Sequence, residues 1–559
     1  MASRSRWATL AATGLALGAC AVPAAQAAAP VRGATYVGSA GGQSQVRVTV
    51  SRDGKRVYDM EGHGIPGKCP DGPQELSFTS DVQSEATAIS GKGTFRRYVD
   101  GDAQVKIKGT FGRGGRLRGR IDYVDRGGCG TDRAFTAVAQ PRQRGSARPV
   151  FDLANGYGAR RTKGVRAATA FALQPVGVAE LPDGRLVVSD PEDATSAPDP
   201  HIRTIDRAGR IGTLLAPSSG IGLPGDLDVL RDGSVVFSQP EENCVRRRSP
   251  TGALSVVAGV CRSGDAGAGY AGDGGPAVAA LLSSPRQVSV TPGGGFLVTD
   301  GGLGGEFADN TRVRRVAPDG KITTAVTLPR AVDVAALSDG GFLVSTGSQV
   351  LRVSASGALS TVAGSGSERF SGDNGPATKA GMLPGALAAM PGGGFVFADA
   401  SVDRIRRVSA TGRITSLAGG GEVFTGIPAG RAAFRFLTGS LAVLRDGSIV
   451  LDDESTLKLI PGRASHRLLV GLPARETTYT RLVLGRRAVP VTLSRAGTVR
   501  LRVTRGKRTV FSVKRRLRAG RSRVRLPRRA GRLRGKGTLR LRVAASSGAA
   551  VATDGMTLY

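Results

Sequence analysis

A segment of four short strands recurs six times along the chain, and this internal repeat restricts the fold more than any other sequence feature. Each copy opens at a Pro or Gly, and its strands are joined by glycine-bearing turns and one variable loop. The copies are Leu173–Ala216, Leu223–Gly259, Leu282–Val326, Leu328–Gly364, Leu383–Gly419 and Leu437–Val470. One such unit of about forty residues cannot bury both of its faces, whereas several units packed around an axis can. The repeat therefore predicts a radial array of six sheets over residues 150–470.

Two glycine-rich connectors between copies add to this pattern. They are Ala271–Pro285 (AGDGGPAVAALLSSP) and Ser371–Pro384 (SGDNGPATKAGMLP). Together with the copies they resemble the NHL repeat of bacterial exported proteins. The resemblance implies a six-bladed β-propeller, and some related propellers are lyases or lactonases. A fold of this kind hosts many unrelated activities, so the resemblance predicts architecture more than function.

On either side of the repeat, apolar and polar residues alternate with the period of two expected of half-buried strands. In residues 32–145 the segments Gln45–Val50 and Val105–Phe111 predict a small antiparallel β domain. In residues 475–559 the segments Val499–Val503 and Leu539–Val543 alternate aliphatic residues with arginine. That alternation predicts an immunoglobulin-like β-sandwich with a basic outer face, so the whole chain is expected to be all-β.

The basic residues are concentrated in the last part of the chain. Residues 471–559 hold 24 Lys and Arg against 2 Asp and Glu, within a chain whose formal net charge is +34. This excess favours docking on anionic cell-envelope polymers through counterion release. The alternative is genomic composition, because the chain uses 66 Arg and only 12 Lys. Composition explains arginine in place of lysine, but it does not explain the scarcity of acids.

The first 28 residues have the pattern of a signal peptide. Arg4 and Arg6 precede an apolar stretch, and Ala25-Gln26-Ala27 is a small-residue cleavage site. The apolar stretch is too short to span a membrane. A second interpretation stays open, since Leu17 to Cys20 (LGAC) matches a lipobox and would make Cys20 a lipid anchor. Both interpretations predict a protein outside the cytoplasm that contacts the membrane, if at all, only through that anchor.

The four remaining cysteines are an even number, which in an oxidising compartment predicts two disulfides. They are Cys69, Cys129, Cys244 and Cys261, and sequence alone permits three pairings. The predicted domain boundaries favour Cys69 with Cys129 and Cys244 with Cys261. Their spacing is not that of a zinc site, and we expect no metal.

An acid and a base recur together in most copies of the repeat. The acids end the second strand, and the bases lie in the third strand. The pairs are Asp190 with Arg203, Asp300 with Arg314, Asp399 with Arg406, and Asp453 with Lys458. Copy four has Thr346 and Leu351 at these positions, so it lacks both charges together. Loss of both charges together is expected of a buried ion pair, because removing one partner leaves the other charge buried and unpaired. We therefore predict that these pairs are structural.

Polar residues on the predicted innermost strands are the candidates for a ligand site at the mouth of the central channel. They are Asp226, Asp228, Arg286, Gln287, Arg330 and Asp333. Their convergence would suit an anion or a polar sugar. The alternative interpretation is that they begin strands and stay solvated. Asp273 and Asp373 each follow a glycine in the connectors, which is more typical of a turn than of a calcium site.

The sequence offers no catalytic motif that its context supports. Gly267–Gly272 matches G-x-G-x-x-G, but it lies in a connector and not between a strand and a helix, so no dinucleotide cofactor is expected. We predict an exported binding or scaffold protein, not an enzyme. Its predicted partners are anionic envelope polymers or another surface protein, and not cytoplasmic nucleic acid. One alternative is an extracytoplasmic propeller enzyme, either a lyase or a lactonase-like hydrolase. Another is a passive structural protein of the cell surface. The oligomeric state is left open.

Overall fold

The structure is a computed structural model of the full chain. It describes residues 28–32, 34–41, 44–51, 53–79, 87–99, 103–139, 151–155, 175–191, 201–206, 211–264, 267–301, 311–419, 434, 439–453, 456–462, 470–471, 488–505, 508–526, 539–547 and 550–558. The predicted signal peptide and Cys20 lie outside these residues. The chain divides into two compact units, residues 1–140 and 141–559.

The first unit is an antiparallel sheet of nine strands that turns back on itself. Its strands are Thr35–Ser39, Gln45–Val50, Arg56–Cys69, Gly72–Thr79, Thr87–Ala88, Thr94–Val99, Ala103–Gly112, Arg116–Asp125 and Gly130–Ala139. Lys68 of the third strand also pairs with Gly130 of the last, next to the Cys69–Cys129 disulfide. The inward side chains, including Val46, Phe111 and Phe135, form one core.

The predicted repeat region forms six four-stranded antiparallel sheets, which we call blades 1 to 6. The strands of blades 1 to 3 are Gly177–Glu180, Leu186–Asp190, His201–Ile205 and Ile211–Leu215; Leu227–Val229, Val235–Gln239, Cys244–Arg248 and Leu254–Ala258; and Pro285–Val290, Phe296–Asp300, Thr311–Val316 and Ile322–Leu328. Those of blades 4 to 6 are Asp333–Ala336, Phe342–Ser345, Val350–Val353 and Leu359–Ala363; Pro384–Ala389, Phe395–Asp399, Arg404–Val408 and Ile414–Gly419; and Leu441–Val443, Ile449–Asp453, Thr456–Ile460 and Phe151–Asn155.

The blades form a ring around an axis. The first strand of each blade contacts the first strand of the next, and that of blade 6 contacts that of blade 1. The protein therefore contains a six-bladed β-propeller. Second strands such as Leu186–Asp190 and Val235–Gln239 are buried at every position, because a neighbouring blade covers each face.

The ring closes with a strand that precedes the first copy of the repeat. The fourth strand of blade 6 is Phe151–Asn155, which pairs with Thr456–Ile460. The repeat pattern predicts instead that copy six supplies its own last strand, ending at Val470. Val470–Gly471 pairs with Thr492 and Leu493 of the C-terminal region. The sheet of blade 6 therefore combines a segment that precedes blade 1 in sequence with the last three strands of the repeat.

Turn chemistry explains the hairpins between the first and second strands. In blade 1 the turn glycine Gly184 has a φ of 82°, and in blade 2 Gly233 has a φ of 85°, a conformation that favours glycine. The preceding Asp183 accepts a hydrogen bond from the backbone N–H of Arg185 at 2.9 Å. The described 3₁₀ turns are Arg113–Gly115, Pro217–Ser219, Pro240–Glu242, Ala277–Ala279 and Ala377–Lys379.

The C-terminal region is a β-sandwich. Its strands are Val470–Gly471, Ala488–Leu493 and Gly520–Arg525 in one sheet, and Gly497–Arg505, Arg508–Leu517, Leu539–Ser547 and Ala550–Leu558 in the other. Val491 and Val524 of the first sheet share a core with Leu501 and Phe511 of the second. Within the described residues no helix has the length and apolar character that crossing a bilayer requires.

Candidate functional site at the propeller mouth

Buried ion pairs join the second and third strands in four blades. Arg203 Nε lies 3.0 Å from Asp190 Oδ2, and Arg314 Nη1 lies 3.1 Å from Asp300 Oδ2. The other two pairs are Arg406 Nη1 with Asp399 Oδ2 at 3.0 Å, and Lys458 Nζ with Asp453 Oδ2 at 3.2 Å. All eight side chains are at most 4 % exposed. These charges neutralise each other inside the blades, so no ligand is needed to balance them.

In blades 3 and 5 the connector adds a second carboxylate to the arginine. Asp273 Oδ1 lies 2.7 Å from Arg314 Nη2, and Asp373 Oδ1 lies 2.9 Å from Arg406 Nη2. Arg406 also donates to the carbonyl oxygens of Ser371 and Gly381, both at 2.8 Å. The connector aspartates therefore fasten the connectors to the third strands, which is a structural use of these carboxylates.

Blades 2 and 4 depart from this pattern in different ways. In blade 2 Gln239 replaces the acid, and Arg246 pairs with Glu242 at 3.4 Å instead. The third strand of that blade is fastened by the Cys244–Cys261 disulfide. In blade 4 the hydroxyl of Thr346 accepts a hydrogen bond from the backbone N–H of Gln349 at 3.2 Å, so a turn replaces the ion pair.

Three further carboxylates lie on the innermost strands or directly before one, and they accept backbone hydrogen bonds. Val288 N–H of blade 3 donates to Asp226 Oδ2 at 3.0 Å, and Val290 N–H donates to Asp228 Oδ2 at 2.7 Å. Asp333 Oδ2 of blade 4 accepts the Leu387 N–H of blade 5 at 2.6 Å. The same carboxylate accepts its neighbour Val334 N–H at 2.7 Å. We call Asp226, Asp228 and Asp333 the axial carboxylates. Each links the innermost strands of two adjacent blades.

The axial carboxylates have raised pKa values. Burial raises the pKa of Asp333 to about 7 and that of Asp228 to about 6, against the lowering effect of the backbone N–H groups. Burial raises the pKa of Asp226 well above its ordinary value, and the negative charge of Asp333 adds to this. Among the described residues none of the three belongs to an ion pair, in contrast to the blade acids. A carboxyl group in this setting can carry a proton near neutral pH.

A cavity of about 380 Å³ opens where the innermost strands begin. It is lined by Val176, Pro191, Leu223, Pro224, Gly225, Asp226, Pro240, Glu241, Ser284, Arg286, Gln287 and Gly439. These residues come from blades 1, 2, 3 and 6, so the cavity lies at one mouth of the channel. Carboxyl, guanidinium and amide groups face it together with valine, leucine and proline side chains.

The cavity brings together three of the six residues predicted for the channel mouth, namely Asp226, Arg286 and Gln287. Asp228 and Asp333 are not in its lining. The half-buried Arg330 lies near Glu368, and burial lowers the pKa of Arg330 against the effect of that carboxylate.

Sequence reasoning missed Glu241, which lies in the 3₁₀ turn directly after the second strand of blade 2. The end of a second strand lies beside the start of the first strand in an antiparallel pair. That relation is a signal that could have included Glu241. His201 begins the third strand of blade 1 and does not line the cavity. The ionisable side chains that line the cavity are those of Asp226, Glu241 and Arg286.

No model of a protein family matches the sequence, and no curated protein matches it. Among solved structures, a gluconolactonase from Xanthomonas campestris is 15 % identical, with a TM-score of 0.39 over 58 % of this chain and 95 % of that one. Virginiamycin B lyase from Staphylococcus aureus is 14 % identical, with a TM-score of 0.32 over 61 % of this chain and 84 % of its own. An auxiliary nutrient binding protein from Bacteroides ovatus is 12 % identical, with a TM-score of 0.43 over 77 % and 99 %. At such TM-scores these likenesses carry no argument about what this chain binds or does.

Proposed function

We propose that this chain is an exported binding protein whose propeller holds a small polar ligand in the cavity at its mouth. In this proposal the C-terminal sandwich docks the protein on anionic polymers of the cell envelope. The observation that carries the proposal is the cavity itself, which gathers Asp226, Glu241, Arg286 and Gln287 at one end of the channel. Its volume falls within the range of pockets that hold small molecules, about 300–1,000 Å³.

The lining favours a polyhydroxylated ligand such as a saccharide or sugar acid. Carboxylates and the amide of Gln287 can accept and donate hydrogen bonds to hydroxyl groups, and Arg286 can hold a carboxylate or phosphate. The prolines at positions 191, 224 and 240 offer flat apolar surfaces to the C–H face of a sugar ring. A purely apolar ligand would take Glu241 and Arg286 out of water without offering them a hydrogen bond.

Two features support a location outside the cytoplasm. The structure contains the Cys69–Cys129 and Cys244–Cys261 disulfides, and disulfides persist mainly in oxidising compartments. The signal peptide predicted for residues 1–28 is consistent with them. The resemblance of the sequence to the NHL repeat of bacterial exported proteins agrees with the same location.

The proposal is tested by thermal unfolding of residues 28–559 with a panel of monosaccharides, sugar acids and short oligosaccharides, followed by calorimetric titration of any that stabilise. A ligand at 100 times its Kd should stabilise by about 2.7 kcal/mol. Arg286→Ala and Asp226→Asn should abolish that gain, while Arg352→Ala, an arginine of blade 4 outside the lining, should keep it. The proposal would be contradicted if no compound of the panel raised the stability, or if both cavity variants kept the increase in stability. Either result would favour a passive structural protein.

A second candidate is a lyase or lactonase-like hydrolase that acts in the same cavity. The observation that favours it is Asp226, a carboxyl that lines the cavity and whose pKa is raised by burial, so that it could act as a general acid. Turnover of a ligand found by the panel, lost in Asp226→Asn while its binding remains, would identify an enzyme. Binding without turnover in the wild-type protein would leave the binding function.

A further inference from the structure

The C-terminal sandwich presents a grid of basic side chains on the outer face of its larger sheet. Along Gly497–Arg505 the exposed Arg500 and Arg502 alternate with buried aliphatic residues. On the neighbouring strand Lys514 and Arg516 are exposed in the same way. Because strand side chains alternate between faces, these four groups point away from the core.

The grid places one pair of like charges directly opposite each other. Arg500 is the register partner of Lys514, and Thr498 is the partner of Arg516. Like charges in opposite positions destabilise a sheet. Among the side chains that the structure describes in this domain, no Asp or Glu offsets them. The repulsion is relieved when an anion binds between the strands, so the grid suits a polyanionic partner better than water.

The smaller sheet carries a second row of the same kind. Arg521, Arg523 and Arg525 are exposed, and they alternate with Ser522 and the buried Val524. Since the two sheets pack on one core, this row and the grid lie on opposite outer faces of the sandwich. The domain therefore presents two separate basic surfaces, the grid on the larger sheet and the row on the smaller one. We call these two surfaces the basic tracks.

We propose that these tracks bind an extended phosphodiester polymer with a polyol backbone. This inference rests on the proposed docking role of the domain and names its partner. Side chains two residues apart on a strand are about 6.8 Å apart. A three-carbon polyol puts six covalent bonds between successive phosphorus atoms, a length that can match this spacing when the polymer is extended. Each guanidinium can then hold one phosphate by two parallel hydrogen bonds.

Two other polyanionic surfaces fit these tracks less well. Single-stranded nucleic acid is usually held through bases stacked on aromatic side chains, and Phe511, the aromatic residue of these strands, lies in the core. A lipid surface is usually held through apolar anchors as well as charge. The large exposed apolar side chains of the described residues all lie outside this domain.

The test measures binding of residues 28–559 to a fluorescently labelled glycerol phosphate oligomer over a range of salt concentrations. Arg500→Ser with Arg502→Ser should weaken binding at least about tenfold at low salt. The same change should reduce the slope of log K against log salt by about 1.4, the value for two lost phosphate contacts. The matched control is Arg116→Ser with Arg118→Ser, two exposed arginines of the N-terminal unit. It removes the same charge and should leave the slope unchanged.

The comparison polymers are polygalacturonate, oligo(dT) and vesicles with anionic lipid. If polygalacturonate binds as tightly as the glycerol phosphate oligomer, or more tightly, the assignment to phosphate is overturned. If oligo(dT) or the vesicles bind more tightly than the oligomer, the assignment to a polyol phosphate is overturned. A slope that both double variants leave unchanged would overturn the tracks, while the docking role would stand. Failure to bind any polyanion would overturn the docking role as well. Thermal unfolding provides the folding control, because Arg500→Ser with Arg502→Ser removes repulsion and should not lower Tm.

Discussion

The propeller holds two groups of buried carboxylates that differ in their partners. The blade acids, such as Asp300 and Asp399, each face a buried arginine or lysine of the next strand. The axial carboxylates accept backbone N–H groups, and their pKa values are raised by burial. Burial also raises the pKa of the blade acid Asp300, to about 6 in spite of Arg314, so what distinguishes the two groups is the buried cation partner. Among the axial carboxylates Asp226 lines the cavity, so it can both join two blades and reach a ligand.

The largest expected effect comes from removing one partner of a blade pair. Asp300→Ala should destabilise the propeller by about 3–5 kcal/mol, because the buried guanidinium of Arg314 loses its buried carboxylate and keeps the half-exposed Asp273. Asp300→Thr combined with Arg314→Leu gives blade 3 the pair found in blade 4 and should cost much less. The measurement is the Tm of the propeller transition in the two variants. A lower Tm for the double variant would contradict the pairing.

The raised pKa of the axial carboxylate Asp333 predicts that the stability of the propeller falls as the pH rises. An unfolded Asp titrates near 3.8 and folded Asp333 near 7, so the folded state binds the proton more tightly. The stability due to this group is fully present below about pH 3.8 and is lost as the pH rises through about 7. Between about pH 5 and about pH 8 the loss should be on the order of 3 kcal/mol.

Asp333→Asn should remove this part of the pH dependence. The amide also loses one of the backbone bonds to Val334 and Leu387, so the variant can be less stable at every pH. Only the change between the two pH values is therefore diagnostic, measured as Tm of variant and wild type side by side. Parallel curves for the two proteins would show that Asp333 does not titrate in this range.

The sequence is sufficient to predict the features that repeat along it. Six copies predict six sheets, and the joint absence of acid and base in copy four predicts that Asp300 and Arg314 meet. It does not predict the closing strand Phe151–Asn155, because ring closure joins segments some three hundred residues apart that share no pattern. It also does not predict the bond from Val290 N–H to Asp228, which depends on the distance between neighbouring blades. Glu241 reaches the cavity for the same reason, since the curvature of the ring decides which turns converge.

The connector aspartates give the smallest predicted effect and the sharpest test of burial within one motif. Asp373 is 5 % exposed and contacts both Nε and Nη2 of Arg406, whereas Asp273 is 49 % exposed and contacts Arg314 through Nη2. Asp373→Ala should therefore cost about 1–3 kcal/mol, as for a buried charged hydrogen bond. Asp273→Ala should cost less than about 1 kcal/mol, since water screens an exposed pair. Tm values for the two variants measure the difference, and equal losses would mean that geometry, and not burial, sets the strength of this contact.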